Sequence, residues 1–173
     1  EMVFIQKFIL YLEHPIYSYS VVLATILLCA GIGSYMSRRL NAARTTHFMA
    51  VGVVIAASVV GYVFIVQELM LRTIGYPVLY KIILAVLANA PISILMGIML
   101  PLGLRRLTEF GLDELIPYCW AMNGALSVLA SVAAIILVIF IGFERVLFIG
   151  AFCYLLPPLF ISLSSKTQNS AAL

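Results

Sequence analysis

Five stretches of this chain contain no Asp, Glu, Lys, Arg or His: 15–37, 48–67, 82–104, 115–143 and 146–165, each of 20 residues or more. No other feature constrains the fold so tightly. A helix rising about 1.5 Å per residue needs about 20 residues to cross a hydrocarbon core about 30 Å thick. Five full spans follow. Closed β-barrels are the other way to satisfy every backbone polar group in lipid. They require polar–apolar alternation over segments of about ten residues. Runs such as AAIILVIFIGF (133–143) and VVIAASVVGYVFIV (53–66) do not alternate. The fold class expected is therefore an all-α integral membrane protein.

Composition agrees. Of 173 residues, 64% are hydrophobic and 10% are charged, and the mean hydropathy is +1.16. A soluble domain is about 45–50% apolar and about 25% charged, and a small one leaves much of its surface in water. The solvent for most of this chain is lipid. The net charge of +3 is no nucleic-acid signal, because the basic residues flank the spans instead of forming one patch. Cys29, Cys119 and Cys153 fall in three different spans without CxxC spacing and read as small apolar filler.

The opening stretch, EMVFIQKFILYLEHP, is different. As a helix, residues 1–13 reach only about 20 Å, and they are not cationic enough for a signal peptide. An interfacial amphipathic helix is one reading, since Gln6, Lys7, Glu13 and His14 share a stripe. The preferred expectation is the second half of a spanning helix, because apolar residues cover most of its circumference. The bundle then has five full transmembrane helices plus a truncated first helix, six in total. Their bounds are about 1–12, 16–36, 48–68, 78–103, 116–141 and 146–163, making a membrane domain over 1–164 and a flexible tail over 165–173. Arg38, Arg39, Arg44, Arg105, Arg106 and Lys166 fall on one side, against Arg72, Lys81 and Arg145 on the other. That asymmetry puts the 2–3 loop, the 4–5 loop and the C-terminus in the cytoplasm.

Prolines punctuate this plan. Pro15, Pro77 and Pro117 stand near helix starts. Pro91 should kink helix 4, with Ser93 or Asn89 satisfying freed carbonyls, and Pro157-Pro158 should bend or end helix 6 early. Gly142 to Arg145 is a tight turn that makes helices 5 and 6 antiparallel. Gln67-Glu68 reads as a solvated helix end.

Two small-residue ladders mark candidate packing faces: Gly52, Ala56, Ala57 and Gly61 on helix 3, and Gly124, Ser127 and Ser131 on helix 5. Polar residues at membrane depth form the candidate site: Glu1, Gln6, Lys7, Asn89 and Asn123. Asn123 must face another helix, with Asn89 as a possible partner, or a wet cavity. GIGSYM (31–36) has two thirds of a dinucleotide fingerprint. It lacks the third Gly and the strand–turn–helix context, so close helix packing explains it better. No motif for covalent chemistry, a cofactor or a metal appears.

Taken together, EMVFIQKF at 1–8, the His14-Pro15 turn, GIGS at 31–34, PLGL at 101–104, WAMNGALSV at 120–128 and Gly142-Phe143 resemble the C-terminal membrane region of spermidine-synthase-like polytopic membrane proteins. The resemblance covers residues 1 to about 157. That family joins a major-facilitator-like membrane part to a spermidine synthase domain. The resemblance implies a soluble aminopropyltransferase-like domain upstream, a bacterial inner-membrane location and a first helix that starts before Glu1. The family pattern often has Pro-Trp before its Asn-Gly step, where this chain has Tyr118-Cys119-Trp120. Three functions stay open: a non-catalytic anchor or subunit of a larger assembly, half of a major-facilitator-like transporter for a small polar or cationic solute, or an accessory subunit with a structural role. The partners expected are the lipid bilayer and other membrane subunits or the upstream part of the same protein.

Overall fold

The structure is a computed structural model that describes residues 2–42 and 44–171, with side chains described as far as residue 161. Six helices follow in order: α1 (Met2–Leu12), α2 (Pro15–Met36), α3 (Thr45–Arg72), α4 (Val78–Glu109), α5 (Ile116–Ile141) and α6 (Phe143–Ala171). Short 3₁₀ turns at Ser37–Arg39 and Asp113–Leu115 link α2 to α3 and α4 to α5. All but α1 are long and apolar enough to cross a membrane. The protein is an integral membrane helical bundle.

Backbone chemistry sets the breaks between helices. Pro15 opens α2, and Pro77 caps α4; at a helix start the missing N–H costs nothing. Gly111, at φ +69°, ends α4. Its N–H donates to Thr108 O and the Leu112 N–H to Leu107 O, at 3.0 and 2.9 Å. Those two bonds satisfy carbonyls that the last turn leaves open. Gly142, at φ +84°, is the single residue between α5 and α6. A residue with a Cβ is strained at that angle.

The broadest contact joins α2 to α4, followed by α3 to α6. Gly33 and Gly97 set the first crossing. A Cβ on Gly33 would fall on the Ile94 backbone, and one on Gly97 on the Ala30 backbone. With no driving force between apolar helices in lipid, backbones this close gain dispersion that larger residues would forbid. At the second crossing Gly52 receives the Pro158 ring and the Tyr154 carbonyl. At the Arg-rich end, Arg105 Nη1 donates to Ser37 O at 2.9 Å and Arg106 Nη1 to Ala42 O at 3.0 Å. The Arg106 guanidinium also lies over the Phe48 and Phe110 rings.

Four features of the fold bear on the sequence reading. First, α1 is an interior element, with seven of its eleven residues buried, which sets aside the flat interfacial helix that was the alternative to a spanning piece. Second, α3 and α4 run past their apolar stretches, to Arg72 and Glu109. Charged residues can continue a helix beyond the hydrocarbon, as the i,i+4 pair Arg72–Glu68 at 2.9 Å does. Third, α6 continues to Ala171 through Pro157 and Pro158, where the reading had a break and then a tail from 165. The Gly52 notch accommodates the Pro158 ring, and helices in lipid tolerate proline when neighbours re-satisfy the backbone. Fourth, no residue of α5 is buried.

Candidate functional site

Lys7 leaves α1 about one turn before its end and points into the bundle, 7% exposed. Its Nζ is buried without a hydrogen-bond partner among the described residues, as are Gln6 Oε1 and Tyr62 Oη. The Lys7 ammonium lies 6.0 Å from the centre of the Tyr62 ring, which also meets Phe4 edge-on at 4.7 Å. Beside Lys7 opens a depression of about 440 Å³, walled by Lys7, Gln67 and residues 140–145. The left-handed Gly142 carries Glu144 and Arg145 to its rim. Glu144 lines the same depression and makes no ion pair with Lys7.

A second polar cluster nearby has its groups paired. Lys81, 6% exposed at its side chain, reaches Glu13 Oε1 at 3.5 Å and lies over the Tyr11 ring. Tyr11 Oη and Thr73 Oγ1 share a hydrogen bond of 2.5 Å. This clamp ties the end of α1 to the α3–α4 connection, with the Lys81 ammonium already facing the Glu13 carboxylate. Glu13, in the break between α1 and α2, holds φ +60°.

The remaining candidates do not converge on Lys7. Asn89 is buried, but Nδ2 donates to Ala85 O one turn back at 2.8 Å, and Ser93 Oγ donates to Asn89 O at 2.8 Å. These bonds flank Pro91 and stay within α4. Asn123 is exposed on α5; it meets neither another helix nor Asn89, contrary to the expectation. Glu1 lies outside the described residues. Among the packing residues, Gly52 is buried against α6 and Ala56 is half-buried, whereas Ala57 is exposed and Gly61 has open space where its Cβ would lie.

α5 leans on the core mainly through its C-terminal half. Ala134, Val138 and Ile141 pack against the core, and Ser131 is half-buried. Gly124 and Ser127 continue the same stripe at helical spacing, yet both are exposed. Asn123 lies one turn from Cys119, on the same side. Cys119 lines a second cavity of about 700 Å³ between the starts of α5 and the far ends of α4 and α6, with Met99, Gly103, Leu107 and Ile161 among its walls. The crevice is where α5 splays away. Ser127 Oγ and Ser131 Oγ are satisfied by the carbonyls of Asn123 and Ser127, at 2.6 and 2.8 Å. The Asn123 side chain has no partner among the described residues.

Sequence reading singled out Lys7 but missed Gln67, Glu144, Arg145 and Tyr62. The tightness of the Gly142 turn was the available signal for the rim residues; nothing local pointed to Tyr62. Among the described residues no three His, Cys, Asp or Glu side chains cluster as metal ligands would. Comparison with protein-family models, with curated proteins and with solved structures finds no match.

Proposed function

We propose that this chain is the membrane-embedded, non-catalytic part of a larger membrane assembly, joined to the rest through the crevice side of α5. The observation that carries this reading is the exposed, unpartnered Asn123 amide. It lies seven residues into α5, roughly 10 Å along a spanning helix. An amide facing acyl chains is costly, and a second helix in the crevice removes that cost with an interhelical hydrogen bond. Gly124 and Ser127 beside it permit the close approach such a bond needs. The occupant is therefore a transmembrane helix that presents a polar group to Asn123.

The spermidine-synthase-like resemblance supplies a setting for that assembly. In this reading the bundle anchors an upstream aminopropyltransferase-like domain in the bacterial inner membrane. The Arg-rich loops and the C-terminus then face the cytoplasm, in keeping with the excess of basic residues there. In this reading the six helices would correspond to one half of a major-facilitator-like fold. The transporter alternative has no comparable support, because Gln6, Lys7, Asn89 and Asn123 share no common cavity.

Site-directed cross-linking in native membranes tests the proposal. With the native cysteines replaced, single cysteines at Asn123 and Ser127 should capture a partner helix, while Leu129 and Ile136 on the opposite side of α5 should not. Equal capture from both sides, or none from the crevice side, contradicts it.

A further inference from the structure

We propose that the depression walled by Lys7, Gln67, Glu144 and Arg145 binds a phosphate group, taken from free phosphate or from the headgroup of an anionic phospholipid. Lys7 carries the argument. Its ammonium is more than nine-tenths buried and has no acceptor among the described residues, and a buried charge persists only when something pairs with it. Tyr62 offers its ring face at 6.0 Å, which attracts a cation but accepts no hydrogen bond from it. The depression opens beside that ammonium, and its size falls in the range of small-ligand sites.

The rim sets the sign and shape of the ligand. Lys7 and Arg145 outnumber Glu144, so the site is net cationic and favours an anion. Lys7, Arg145 and the Gln67 amide offer donors from α1, α6 and α3. Three donors from separate elements suit a group with several acceptor oxygens, and a guanidinium pairs well with phosphate. Phe140 and Phe143 give the walls an apolar part, which suits the glycerol and upper acyl region of a lipid.

The full-length protein, purified in a phosphate-free maltoside micelle, is titrated separately with inorganic phosphate and with phosphatidylglycerol. Saturable binding of either is the expected result. Saturation by both assigns the site to the phosphate group itself; saturation by the lipid alone assigns it to the headgroup. Lys7→Met and Arg145→Gln should each weaken binding about tenfold or more, the size of a lost charge-assisted hydrogen bond. Glu144→Gln removes the competing carboxylate and should strengthen binding severalfold. Because Glu144 is exposed, this variant reads the site without disturbing the core. Failure of both ligands to saturate overturns the proposal, and so does binding that Glu144→Gln leaves unchanged or weakens.

Discussion

Single residues decide how closely these helices approach. Gly33 and Gly97 sit where a methyl group would strike backbone rather than a movable side chain, so the crossing of α2 and α4 cannot adjust cheaply. Gly33→Val or Gly97→Val should cost about 1–3 kcal/mol or more, as overpacking does, while Gly31→Ala, with open space around it, should cost almost nothing. Thermal unfolding in detergent reads the difference. Glu13 offers a second residue-scale test. Its left-handed backbone costs a residue bearing a Cβ about 1 kcal/mol, and its carboxylate pairs with the buried Lys81 ammonium. Both Glu13→Gly and Glu13→Ala lose that pair, but only glycine relieves the strain. The glycine variant should be the more stable by about 1 kcal/mol in the same assay, and equal stabilities would remove the strain argument. Of these residues, sequence reading reached Gly33, through the failed dinucleotide fingerprint. It did not reach Gly97, because the pairing of α2 with α4 is not encoded locally.

At the scale of elements, the unequal fates of α1 and α5 were the least legible part of the chain. The bounds of α5, 116–141, were readable from its lack of charge and from Pro117 and Gly142. Its exposure was not, because a helix apolar on every side carries no stripe to say which face is covered. For α1 the reverse holds: shortness argued against a span, and the core accepted the helix as an interior element. Phe8, fully buried, should cost about 3–5 kcal/mol when cut to Ala, whereas Leu10→Ala, at a residue 69% exposed, should change little. A similar loss at both positions would mean that α1 is not docked as described. On α5, Asn123→Leu should stabilise the isolated chain by about 1 kcal/mol, by removing an amide from lipid, and should weaken the assembly on a native gel. The candidate site shows the same divide. Lys7 stood out as a charge at depth, while Tyr62, Gln67 and Glu144 come from elements far along the chain, and only the packing of α1 against α3 and α6 brings them together.

For the whole molecule, five apolar rods were legible because lipid-spanning chains have few ways to satisfy their backbone polar groups, whereas the burial of α1 among them was not. The assignment of ends to sides rests on where the arginines fall and on the pairing that folds them together, with Arg105 and Arg106 holding the α2–α3 connection and Tyr11 and Lys81 holding the opposite end. Labelling of single introduced cysteines by a membrane-impermeant maleimide, in sealed vesicles of known orientation and a background lacking the native cysteines, tests this most directly. Cysteines at Asn41 and Asp113 should react from one face of the vesicle, and those at Tyr76 and Glu144 only from the other. Reaction of all four from the same face would contradict a bundle threaded through the bilayer.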